Sequence, residues 1–122
     1  MERFTDRVVI VTGAGSGIGE ATAHRFSQEG ASVVLAGDTK VKLERVAANL
    51  PPERTLIKVT DVSNYKQVQA LVAATIKRFG ALHVLFNNAG IAVEGSVTEA
   101  PFDGWAKTMA TNVGGVFHGC RA

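Results

Sequence analysis

Short, unbroken apolar runs alternate with longer amphipathic segments along almost the whole chain, and this alternation constrains the fold more than any other feature. A β-branched run such as Val8-Val9-Ile10-Val11 suits a strand buried on both faces, the kind found in parallel sheets covered by helices. The pattern therefore reads as βαβ units around a parallel sheet, an α/β fold. The first strand is placed at Arg7 to Thr12. The first helix runs from about Gly17 to Glu29, with Ile18, Thr22 and Phe26 on one face and Gly30 capping its end. A second strand spans Ser32 to Ala36. The second helix spans about Lys40 to Asn49, with Leu43, Val46, Ala47 and Leu50 on one stripe, and Pro51-Pro52 stops it. The third strand is Thr55 to Val59. The third helix begins after Ser63, read as its N-cap, carries Val68, Leu71, Val72, Ile76 and Phe79 on one face, and ends at Gly80. The fourth strand is Leu82 to Phe86. A loop from Asn88 to about Ala100 leads to a last helix, where Phe102, Trp105, Met109, Val113, Val116, Phe117 and Cys120 form a long apolar face. Gly114, Gly115 and Gly119 lie inside it, each costing roughly 1 kcal/mol relative to alanine. Close packing against another element and a frayed helix end both account for them.

A length of 122 residues fits one domain. Net charge is +2, with Lys and Arg scattered among acids, so there is no basic stripe for nucleic acid. No apolar run approaches the roughly 18 residues of a membrane span, and Met1 to Arg7 lacks the apolar core of a signal peptide. The single cysteine, Cys120, has no internal disulfide partner, which points to a reducing cytoplasm. A reactive thiol is one reading of it, and its place on an apolar stripe favours core packing. His24, His83 and His118 show no metal-ligand spacing.

The chemistry begins at Thr12-Gly13-Ala14-Gly15-Ser16-Gly17-Ile18-Gly19, between a buried strand and a helix. A helix N-terminus presents unpaired N–H groups and the positive end of the helix dipole, which favours an anion. Glycines let a backbone approach a pyrophosphate with no side chain in the way. A merely flexible turn would not need four glycines at alternate positions after a strand. No Gly-Lys-Ser/Thr follows, so a kinase-type phosphate loop is a weak reading.

The spacing is T-G-x-x-x-G-I-G, with Gly13, Gly17 and Gly19 in the key places, and it resembles the cofactor motif of short-chain dehydrogenases/reductases. Three more stretches agree in order and place. Asn87-Asn88-Ala89-Gly90 after the fourth strand looks like the family's N-N-A-G. Asp61-Val62 stands where the family holds adenine. Thr111-Asn112-Val113-x-Gly115-x-Phe117 resembles the helix that carries the family's active-site asparagine. The resemblance covers the whole chain. It implies a Rossmann-type doubly wound sheet of order 3-2-1-4, and hydride transfer between a nicotinamide cofactor and an alcohol or carbonyl substrate.

On that resemblance, Gly13, Gly15, Ser16, Gly17, Ile18 and Gly19 would hold the pyrophosphate. The Asp61 carboxylate would accept from the adenine amino group while the Val62 N–H meets a ring nitrogen. Asn87, Ala89 and Gly90 would lie along the cofactor, with Asn88 structural and Gly90 near the nicotinamide ribose. Asn112 would distort its helix and hold a water in a proton relay to a catalytic lysine. Asp38, just past the second strand, can accept from the adenosine ribose and would repel a 2′-phosphate, which favours NAD. The strand end itself is Gly37, and the loop holds no Lys or Arg for that phosphate. Plainer readings exist for several of these residues: Asp38 as an N-cap, Asp61 as a turn residue, Asn87 to Gly90 as scaffold, Asn112 as a polar helix residue.

The family's Tyr-x-x-x-Lys is absent: the one tyrosine, Tyr65, precedes Lys66, and position 69 is Gln69. The fourth strand reads like a central strand, yet the order 3-2-1-4 leaves it at an edge, where an unpaired apolar strand is an aggregation hazard. The expectation is that these residues are the cofactor-binding part of one larger Rossmann domain, with the catalytic half elsewhere. The alternatives are a non-catalytic nucleotide-binding fragment and a subunit completed by another chain. Relatives are commonly dimers or tetramers, so a homo-oligomer is expected. The substrate is unreadable.

Overall fold

The computed structural model describes residues 1–122. Four parallel strands, β1 (Val8–Thr12), β2 (Ser32–Gly37), β3 (Thr55–Val59) and β4 (Val84–Phe86), form one sheet in the order β3-β2-β1-β4. Helices α1 (Gly17–Gln28), α2 (Lys40–Ala47) and α3 (Tyr65–Phe79) connect them, and α4 (Phe102–Met109) and α5 (Gly115–Arg121) follow β4. This is the doubly wound α/β architecture expected from the alternation of elements. β1 is buried along its whole length because it pairs on both sides and is covered on both faces. Side chains alternate across a strand, so each face has its own cluster. Val9, Val11, Val33 and Leu35 pack with Ala23 of α1 and with Leu43 and Val46 of α2. Ile10, Val34 and Ala36 pack with Leu71 of α3 on the other face.

The structure corrects several sequence expectations. In α1 the buried face is Gly19, Ala23 and Ser27, not Ile18, Thr22 and Phe26. Small residues face the sheet because helix and strand approach closely there. Ile18 is 72% exposed, and Phe26 packs edge-on against Phe4 of the N-terminal segment, ring centroids 4.9 Å apart. The N-cap of α3 is Asn64, whose Oδ1 accepts from the Gln67 amide at 3.2 Å. Ser63 instead donates its hydroxyl to Asp61 Oδ1 at 2.6 Å. β4 is shorter than expected. His83 stands before it and continues the ladder with its side chain: its amide donates to Val8 O (2.9 Å), while its ring Nδ1 accepts from the Val8 amide (2.9 Å).

The last helix is not continuous, because a π-helical turn at Ala110–Gly114 separates α4 from α5. Its glycines are partly explained by close packing. A Cβ at Gly115 would stand 2.6 Å from Val62 Cγ2, and one at Gly119 would stand 2.6 Å from Asn87 Oδ1. Gly114 has no such neighbour under 3.9 Å. Cys120 is exposed rather than in the core, because the apolar face of the last helix, with Val113 and Phe117, lies largely on the surface. No helix is long and apolar enough to cross a membrane.

Candidate functional site

Between β1 and β4 the direction of winding reverses, the point at which open α/β sheets bind ligands beyond the carboxyl ends of their strands. A cleft of ≈ 410 Å³ lies there. The segments after all four strands wall it, each entering from a different strand end.

The first wall follows β1 and comprises Gly13, Gly15, Ser16, Gly17 and Ile18. Ser16 is the N-cap of α1 but makes no side-chain cap hydrogen bond, and the amides of Ser16 to Gly19 have no acceptor within the protein. These are the unpaired donors of a helix start, with the positive end of the dipole behind them. Gly17 has φ +55°, and a Cβ there would project into open space. The turn is therefore held open on its ligand side. Gly19 does not line the cleft. A Cβ at Gly19 would overlap the Gly13 carbonyl and come within 2.6 Å of Asn88 Nδ2, so this glycine lets α1 sit against the loop.

The second wall follows β2, with Gly37, Asp38, Thr39 and Lys42. Asp38 Oδ1 accepts from the Thr39 hydroxyl at 3.1 Å, and Thr39, not Asp38, is the N-cap of α2. Lys42 was not singled out in the sequence. It enters because one helical turn of α2 returns it to the cleft beside Gly15, a proximity that sequence spacing does not show. Arg45, one turn further, donates to Gly15 O at 3.0 Å and to Glu20, clipping α2 to the glycine turn.

The third wall follows β3, with Thr60 and Val62. Asp61 lies outside it. Its carboxylate accepts from the Ser63 amide (2.9 Å) and hydroxyl, the geometry of a turn residue. Four of the five amides from Thr60 to Asn64 are engaged: Thr60 with Gly37 O, Asp61 with Gln67 Oε1, Ser63 with Asp61 Oδ1, and Asn64 with Asp61 O. The Val62 N–H has no protein acceptor.

The fourth wall follows β4, with Asn88, Ala89, Gly90 and Ile91. Thr12 organises it. Its hydroxyl accepts from the amides of Asn88 (2.9 Å) and Ala89 (3.0 Å) and donates to Phe86 O (3.3 Å). The Asn88 Nδ2 group donates to Thr12 O and Gly13 O at 3.2 and 3.3 Å, tying the fourth wall to the first. Asn87 lies outside the cleft, with Nδ2 3.8 Å from Cys120 Sγ. Asn112 also stands behind the lining. Its side chain clamps Ile91 from both sides: Oδ1 accepts from the Ile91 amide (2.8 Å) and Nδ2 donates to Ile91 O (2.7 Å). It sits in the π-helical turn, a distortion of the kind that often marks functional positions. Its neighbour Thr111 reaches the cleft.

The glycine turn, the open cleft and the N-N-A-G wall are thus assembled around one point. A family profile described as short chain dehydrogenase matches residues 7–122. The chain belongs to the short-chain dehydrogenase family. It is 44% identical over 114 residues to a meso-2,3-butanediol dehydrogenase of Serratia marcescens, a match covering 93% of this chain and 45% of that protein. Among solved structures, a short-chain dehydrogenase/reductase of Burkholderia phymatum in complex with NAD superposes with TM-score 0.91 at 40% identity, covering 99% of this chain and 44% of that one. A short-chain dehydrogenase/reductase (glucose/ribitol dehydrogenase) of Brucella melitensis superposes with TM-score 0.94 at 34% identity, covering 97% and 50%. The chain spans about half the length of the relatives it matches.

Proposed function

We propose that the chain is the cofactor-binding part of an NAD(P)-dependent oxidoreductase, within a single Rossmann domain. That enzyme would transfer hydride between nicotinamide and an alcohol or carbonyl substrate. The observation that carries this reading is the set of unengaged backbone donors around one cleft: the first turn of α1 and, from the third wall, the Val62 N–H. Backbone donors suit a pyrophosphate and an adenine ring nitrogen, and neither needs a charged side chain. In this reading Gly13, Gly15, Ser16, Gly17 and Ile18 hold the pyrophosphate, with Gly19 shaping the turn from behind. Val62 and Asp61 form the adenine end, Asp61 by fixing the turn. Ala89 and Gly90 face the nicotinamide ribose, and Asn87 braces them from the side of α5. The cofactor supplies hydride acceptance and donation when bound. Asn112 orders the Ile91 backbone beside it and carries the proton-relay role that the family resemblance implies. We place the protein in the cytoplasm as a homo-oligomer.

The reading favours NAD. The Asp38 carboxylate lines the cleft at the β2 end, where a second phosphate on the adenosine ribose would be repelled. Lys42 lines the same region and offsets part of that repulsion. Asp38→Asn is expected to tighten NADP roughly tenfold and to change NAD little, and Lys42→Met to weaken NADP, measured as dissociation constants by calorimetry. NADP binding equally to the Asp38→Asn protein and the parent would contradict the assignment.

A second reading is that another polypeptide completes the sheet and supplies the chemistry. The free edge of β4, which pairs only with β1, favours it. Co-purification of a partner carrying Tyr-x-x-x-Lys would support it.

A further inference from the structure

We propose that His118 is a positioning residue for the adenine end of the cleft, acting through the backbone of Val62; the inference rests on the nucleotide-binding reading above. His118 Nδ1 lies 2.7 Å from Val62 O. A carbonyl only accepts, so the hydrogen is on Nδ1. The peptide that follows Val62 is thereby held at both ends: His118 takes its carbonyl, and Asp61 Oδ1 takes its N–H, that of Ser63. The peptide that precedes Val62 is held at its carbonyl by the Asn64 amide. Its N–H, that of Val62, is left without a partner beside the cleft. Every polar group around Val62 is therefore engaged except the donor that a base would use.

The tether comes from α5, more than fifty residues away in sequence, and two further contacts seat it. Gly115 lets α5 approach, because a Cβ there would stand 2.6 Å from Val62 Cγ2. The Tyr65 ring, at the start of α3, lies against the His118 ring with centroids 5.4 Å apart. Val62, Tyr65, Gly115 and His118 thus form one joint between the β3 end and the helix that follows the π-helical turn. Through this joint the segment bearing Asn112 and the adenine end of the cleft share one rigid reference.

Asparagine can place its side-chain N–H where histidine has Nδ1, whereas glutamine places its own where histidine has Nε2. The test is therefore the pair His118→Asn and His118→Gln in the full chain, titrated with AMP and with NAD by calorimetry. Backbone amide NMR would follow the Val62 resonance. The expected result is AMP and NAD binding within twofold of the parent for His118→Asn, and about tenfold weaker for His118→Gln. The free Val62 amide resonance should shift in the Gln protein only, with both variants fully folded at the titration temperature. Equal affinities in both variants, whether unchanged or equally weakened, would overturn the role. A parent chain that binds neither AMP nor NAD would instead remove the nucleotide reading itself, and this inference with it.

Discussion

Thr12 shows how a site can depend on one hydroxyl. It is buried and satisfies two amides of the fourth wall and the Phe86 carbonyl at the end of β4. Thr12→Val keeps the shape and takes the acceptor from two part-buried amides. Leaving a buried donor unpaired costs about 1–3 kcal/mol, and these amides border an open cleft, so the urea stability should fall by about 1–2 kcal/mol, and Thr12→Ser should recover most of it. The glycines separate by cause. Gly19→Ala drives a methyl into the Gly13 carbonyl and should cost about 3 kcal/mol or more, because fixed backbone cannot yield. Gly17→Ala meets open space and bears only the strain of its positive φ, about 1–2 kcal/mol. Glu29 supplies a pH dependence. The Arg3 guanidinium, and then that of Arg25, hydrogen-bond its carboxylate and hold its pKa down to about 2 from the ordinary 4.5. A depressed carboxylate pKa stabilises the fold fully above the ordinary value and loses that contribution as pH falls from 4.5 towards 2. Melting temperatures of the parent and Glu29→Gln should therefore differ at pH 7 and converge near pH 2.

At the scale of elements, the strands and their order were legible because buried parallel strands are written as unbroken apolar runs. The glycine turn was legible because its function is carried by backbone, and backbone freedom is encoded locally by glycine. The face of α1 was not, since Ile18 stands exposed at the cleft, Phe26 packs on the N-terminal segment and the small residues serve the sheet. Apolar periodicity cannot distinguish the two. Lys42, Ile91 and His118 were missed as contributors because contacts between separate elements bring them to the site or its supports. The π-helical turn was expected only as a distortion implied by the family resemblance, and its role in this chain is visible in the Asn112–Ile91 clamp. Asn112→Ala should free the Ile91 amide, raising its hydrogen-exchange rate at least tenfold while exchange in β1 stays unchanged. Equal protection of Ile91 in both proteins would show that the clamp does not hold the loop.

For the molecule as a whole, one side is finished and the other is open. β1 and β2 are buried beneath helices on both faces, whereas β4 is an edge and Phe102, Trp105, Val113 and Phe117 are each more than half exposed. Apolar surface beside an unpaired strand promotes association. The isolated 122-residue chain should therefore self-associate in light scattering, and Trp105→Lys with Phe117→Lys should reduce that association without lowering the urea midpoint. The central claim concerns the other end of the sheet, where unengaged amides surround one cleft. The most direct test is amide NMR of the chain titrated with ADP-ribose. The account predicts saturable one-to-one binding, with the largest shifts at Gly15 to Gly19 and at Val62. No binding, or shifts confined to the exposed faces of α4 and α5, would contradict it.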